Sequence, residues 1–182
     1  VMDWSNTQGM AAAVLILALL TVIMLGCSSF GMTAKQAAIT TSHVIALERA
    51  FDQVEPIVED NIGAVEKQDR EKVRRAWETL KTIRNQIRDD NPAQVLSNVE
   101  RSEDLYERAR AAYTTLRPIA QVMIENGTIP QGEAAMLARI DQRAQALDEQ
   151  AQKLSRHERA MAAIQFARDM IPLVRSIILA VV

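Results

Sequence analysis

Residues 93–125 read AQVLSNVERSEDLYERARAAYTTLRPIAQVMIE, and the spacing inside this stretch decides the fold class. Val95, Val99, Ser102, Tyr106, Ala109, Tyr113, Leu116, Ala120 and Met123 recur at alternating steps of four and three. That is the period of one helix face, whereas a half-buried strand would alternate at every second residue. Asp89-Asp90-Asn91-Pro92 stands before it. An Asx residue ahead of Pro at the first helical position is a strong start signal, because the side chain caps free N–H groups where Pro has none to lose. Asn126-Gly127 supplies the stop, and Pro118 is expected to kink the helix by removing one backbone donor.

Upstream, Val44, Leu47, Phe51, Val54 and Val58 form a stripe on a helix predicted over 33–59. Extending that register reaches Gln68, Lys72 and Arg75, which are polar, and the apolar series resumes out of phase as Val73, Ala76, Leu80, Ile83 and Ile87. Asp60-Asn61-Ile62-Gly63 is turn chemistry, and Pro56 weakens the last turns before it. A hairpin into a second helix over 64–89 follows, with a single kinked helix from 33 to 90 as the other reading. Downstream, the loop Asn126 to Gly132 leads into a fourth helix predicted over 131–182, striped by Leu137, Ile140, Ala144, Leu147, Ala151 and Leu154. Pairs at i,i+4, namely Glu66 with Arg70, Glu71 with Arg75 and Asp104 with Arg108, mark watery faces.

These stripes are narrow and rich in Ala, so each helix needs partners along its length. The expected architecture is all-α: an amino-terminal apolar anchor helix, then an elongated antiparallel bundle of about four helices. Connectors of hairpin length favour the bundle over an oligomeric coiled coil. Composition agrees, with 6 Gly, 5 Pro and 4% aromatic residues in 182. All 21 basic residues and 22 of the 23 acidic ones follow Cys27, so that part is near neutral and finely mixed. No nucleic-acid footprint is expected from such a surface, and the group Lys72, Arg74 and Arg75, interleaved with Glu71 and Glu78, reads as a solvated face.

The first 34 residues are of another kind. From Trp4 to Ala34 there is no charge, and Met10 to Leu25 reads MAAAVLILALLTVIML. At about 1.5 Å per residue this strictly apolar part is roughly 24 Å long, and the wider uncharged stretch exceeds the roughly 30 Å hydrocarbon core. Residues 1–26 are therefore expected to be a signal sequence or a transmembrane anchor, residues 27–32 a tether, and residues 33–182 the helical domain. Met24-Leu25-Gly26-Cys27-Ser28-Ser29 resembles the lipobox of bacterial lipoproteins. The resemblance implies cleavage after Gly26, with Met24, Leu25 and Gly26 as the cleavage site and Cys27 as the lipidated residue. Ser28, where Asp is absent, is similar to the outer-membrane sorting preference of that class, which implies the periplasmic face of the outer membrane. Residues 1–9 hold Asp3 and no Lys or Arg, which keeps a retained single-pass helix in the inner membrane as the second reading.

At the other end, Ile171 to Val182 reads IPLVRSIILAVV, too short to span a bilayer. Packing on the bundle or on another copy is the expected role. A lipid at one end and an apolar tail at the other also resembles, in layout only, the unimolecular spanins of some phages, although Arg175 interrupts the tail. A membrane-remodelling or lysis component is the corresponding alternative function.

No Gly-rich phosphate loop, GxSxG or HExxH is present, and the single cysteine excludes an intrachain disulfide. His43 and His157 lie on different predicted helices without a nearby Cys or second His. Glu59-Asp60 and Asp89-Asp90 sit at helix ends, where solvation is the ordinary role, and Trp77, Tyr106 and Tyr113 fall on or beside apolar stripes as core. No catalytic residue, metal, cofactor or small-molecule substrate is expected. The expected partners are a membrane, through the Cys27 lipid or residues 10–30, and a protein or a second copy, through helical faces.

Overall fold

The structure, a computed structural model, describes residues 34–89, 99–150 and 153–182. The anchor, the residues Met24, Leu25, Gly26 and Cys27, the 27–32 tether, the Asp90-Asn91-Pro92 start signal with Val95, and Ala151 lie outside them. Five helices follow in order: α1 (Ala34–Asn61), α2 (Lys67–Asp89), α3 (Val99–Glu125), α4 (Ala134–Gln150) and α5 (Arg156–Leu179), with short 3-10 turns at Ile62–Ala64 and Gln131–Glu133. There is no strand among the described residues.

The out-of-phase stripes of α1 and α2 meet as expected. Leu47, Phe51, Val54 and Val58 are buried on α1, and Val73, Ala76, Leu80, Ile83 and Ile87 on α2. The phase break is resolved as a hairpin, not as one kinked helix. Asn61 ends α1 by turning its side-chain amide back to the Ile57 carbonyl at 2.9 Å. Arg70 then donates twice to the Val65 carbonyl, at 3.1 and 2.9 Å, so the turn's exposed acceptor is satisfied. This use takes Arg70 away from the expected pairing with Glu66. Glu71 likewise pairs with Arg74 at 2.5 Å instead of Arg75, while Asp104 and Arg108 meet at 2.8 Å as their spacing predicts. Both α1 and α3 continue as helix through Pro56 and Pro118, since the surrounding hydrogen bonds and packing carry each chain past one missing donor.

The fourth predicted helix is in fact two. α4 ends at Gln150, whose carbonyl accepts from the Lys153 and Leu154 amides at 2.8 and 3.0 Å, and α5 starts at Arg156. Ser155 forms a complete capping box with Glu158: the Glu158 amide donates to Ser155 Oγ at 3.3 Å, and the Ser155 amide to Glu158 Oε2 at 2.9 Å. The sequence signal was present as Ser155-Arg156-His157-Glu158, the S-x-x-E pattern that satisfies two orphan amides reciprocally. Ser155→Ala is expected to cost about 1 kcal/mol in urea unfolding, the usual worth of an N-cap.

This extra break sets the topology. Successive helices run antiparallel, so a fifth helix runs parallel to the first and third. The cross-contacts show it: Thr40 and His43 of α1 meet His157 and Gln165 of α5, and Glu103 and Tyr113 of α3 meet Arg159 and Phe166. α5 lies between α1 and α3 with α4 against one side, and α2 packs chiefly on α3. Twelve of its residues are buried, among them Ile171, Leu173, Val174, Ile177 and Ile178 at 0% exposure. Much of the carboxy-terminal apolar run thus lies in the core, with Pro172, Arg175, Leu179 and Val182 exposed at its edge. α3 also buries a wider arc than its stripe, adding Leu105, Ala112 and Ile119, because a helix with neighbours on three sides needs apolar side chains around more of its circumference.

Candidate functional site

Two polar constructions and one groove stand out from the packed interior. The first construction holds α4 to α3. Tyr106 donates its hydroxyl to Asp148 at 2.6 Å, and Arg110, one turn along, reaches the same carboxylate at 2.5 Å. Seven residues on, Tyr113 donates to Asp141 at 2.7 Å, with Arg117 on the same carboxylate at 3.0 Å. Burial and the acceptor carboxylate push the Tyr113 hydroxyl up to about 12, so it stays a donor at any physiological pH. Tyr106 is in the core, as its stripe predicts, and Tyr113 is half-buried against it, yet each also carries a polar tip that the stripe did not reveal. The missed signal is a heptad repeat of three residue types: Tyr106 and Tyr113, Arg110 and Arg117, Asp141 and Asp148. Antiparallel helices bring residues of equal heptad step into register, so this repeat specifies how α4 docks.

The second construction joins α1 to α5 through both histidines. His157 Nε2 lies 3.1 Å from the Thr40 hydroxyl, and His43 Nε2 lies 3.1 Å from the Gln165 amide nitrogen. An amide nitrogen only donates, so His43 Nε2 accepts and the ring is neutral. Burial first, then the Arg168 and Arg143 guanidiniums, hold the His43 ring below the ordinary histidine range. Burial does the same to His157, against the opposing pull of Glu158. An unfolded histidine titrates near 6.5, and in the folded chain both rings take a proton only at lower pH. Below about 6.5 the unfolded chain therefore binds protons that the folded chain refuses, and stability present above that pH is lost as pH falls. The urea midpoint is expected to drop between pH 7.5 and 5.5, and to drop less in His43→Gln, which keeps a polar partner for Gln165. An equal drop in the variant would show that His43 is not a source.

The groove runs along α1, α4 and α5. A hollow of about 510 Å³ is walled by Ala50, Met136, Ile140 and Pro172 and edged by Arg139, Arg143, Arg168 and Asp169. A second hollow of about 320 Å³ shares Ala50 and Pro172 with it and extends past Val54, Ile57 and Ile171 to Arg175. Asp169 bonds to both Arg143 and Arg168. Arg139 and Arg175 are exposed and pair with no carboxylate among the described residues.

The remaining candidates take ordinary places. Trp77 is in the core at 2% exposure, with its ring 5.0 Å from that of Phe51. Glu59 and Asp60 are exposed at the end of α1, and Lys72 and Arg74 lie in surface pairs with Asp69 and Glu71. Arg84 is the buried cation among the described residues, held bidentately by Glu55 at 2.6 and 3.3 Å and lying over the Phe51 ring at 4.7 Å. Among the described residues no group of His, Cys, Asp and Glu is placed to hold a metal ion, and no helix is long and apolar enough to cross a membrane. No protein family, curated protein or solved structure matches this chain.

Proposed function

We propose that the chain is a membrane-anchored helical interaction module without catalysis, held by lipid on Cys27 at the periplasmic face of the outer membrane. The observation that carries this reading is the run Met10 to Leu25, apolar or small at every position except Thr21, ending in Gly26-Cys27. One acyl chain gives only marginal membrane residence, so two or more on a single residue make a stable tether without a spanning helix. The bundle has its own closed core, and its outer faces are free to bind a protein or a second copy. Ile39 and Ile45 on α1 and Val122 on α3 are exposed apolar residues of the kind such contacts use.

The intact mass of membrane-extracted protein tests it. Loss of residues 1–26 with added acyl mass is expected, and Cys27→Ser should leave the chain unprocessed. A full-length, unmodified chain would overturn the lipoprotein reading. The second reading is a single-pass protein with a retained amino-terminal helix, serving an envelope-remodelling or lysis assembly. The length of the uncharged stretch Trp4 to Ala34 favours it, since about 30 residues exceed what a bilayer core requires. Under that reading Cys27→Ser changes neither mass processing nor membrane association.

A further inference from the structure

We infer that the groove between α1, α4 and α5 binds an anionic amphiphile, with its phosphate against Arg139, Arg143 and Arg168 and its alkyl chain along Ala50, Pro172 and Ile57. The first support is a local charge imbalance. The whole chain carries a formal −2, yet the hollow proposed for the phosphate is edged by three arginines and one carboxylate, with Arg175 at the far end of the adjoining one. Asp169 engages two of those three, and the exposed Arg139 has no carboxylate partner among the described residues. Guanidinium groups are the preferred side chains for bidentate contact with phosphate, and several around one concavity strengthen each other's hold on an anion.

The second support is the apolar wall. Met136, Ala50 and Pro172 line the charged hollow, and Ile57 continues the apolar surface into the adjoining one, beside Gln53 and over the buried Val54 and Ile171. A free phosphate would use only the arginines. A head with a chain of several carbons would use both hollows, whose volumes of about 510 and 320 Å³ lie in the range of small-molecule sites. The third support is the field at His43, whose protonation is opposed by burial first and then by Arg168 and Arg143: an anion added beside those arginines, alongside Asp169, would relieve the second part of that opposition.

The test is equilibrium binding to the full chain in a neutral detergent, using inorganic phosphate, butyl phosphate, octyl phosphate and octyltrimethylammonium as probes. Octyl phosphate should bind at one site per chain. Affinity should rise from inorganic phosphate through butyl to octyl phosphate, by up to about fourfold for each methylene that becomes buried. Arg139→Gln should weaken octyl phosphate on the order of tenfold, the loss of a charge-assisted contact, with an unchanged unfolding midpoint because Arg139 makes no ion pair to lose. Arg139→Lys should recover part of the affinity, and Lys72→Gln on the far helix α2 should leave it unchanged. Equal binding of inorganic and octyl phosphate would remove the amphiphile. Equal binding of the cationic probe, or no loss in Arg139→Gln, would remove the arginine site.

Discussion

Truncation after Met170 is expected to abolish cooperative unfolding altogether. The twelve residues removed include Ile171, Leu173, Val174, Ile177 and Ile178, every one of them at 0% exposure and part of the one core cluster. Burying an aliphatic side chain of this size contributes about 1.5–3 kcal/mol, so the loss is on the order of 10 kcal/mol. That is as large as the whole net stability of an ordinary domain, about 5–15 kcal/mol. The shortened chain should show reduced helix content, dye-accessible apolar surface and a broad, non-cooperative urea curve. A sharp transition retained by the truncated chain would mean that the segment is peripheral to the fold. The same experiment separates a core helix from a membrane-seeking tail, because only the former is needed for folding in detergent.

Trp77→Ala carries the second-largest expected effect, a loss of about 3–5 kcal/mol in urea unfolding, as is usual for removing a buried large aromatic. Trp77 is 2% exposed on α2 and fills the space toward α1, where its ring meets Phe51 at a 46° tilt. Phe51 in turn supports the Arg84 guanidinium, which Glu55 holds. Losing the indole therefore opens a cavity next to a buried charge whose position depends on packing. Trp77→Phe should behave quite differently. The indole N–H meets no acceptor among the described residues, and leaving a buried donor unmade costs about 1–3 kcal/mol. Replacing it by an apolar ring recovers part of that penalty, so Trp77→Phe should lose no more than about 1.5 kcal/mol, the range of volume-tolerant swaps. Similar losses for Ala and Phe would show that the N–H is satisfied and that the space is specific to an indole.

Much of the core was legible before any coordinates. The stripes Leu47 to Val58 and Val73 to Ile87 are buried, and their mismatch in phase, with turn chemistry at Asp60 to Gly63, pointed to the hairpin that forms through Ile62–Ala64. Helix stripes are readable because burial follows a local period, and the residues that enforce it are near neighbours in sequence. The candidate site was far less legible. Arg139, Arg143, Arg168 and Arg175 fall on two helices whose separation depends on where the chain turns between 150 and 156. Treating 131–182 as one helix put the first two arginines and the last two on one straight rod, where they could not converge with Ala50 of α1. The histidines suffered the same fate: distant in sequence, each on a separate segment, they share the α1–α5 interface only because that interface is parallel.

By itself, the sequence determined the all-helical class, the faces of α1 and α2, the hairpin between them and the uncharged stretch that runs through Cys27, since each of these depends on residues within a few turns of one another. Tertiary structure alone decided that α5 is the centre of the core and runs parallel to α1 and α3. It also decided that four arginines and an apolar wall face one groove. The physical reason is that the placement of α5 rests on contacts between residues far apart in sequence, Thr40 with His157 and Tyr113 with Phe166, whereas the Ser155 capping box marks only where the helix starts.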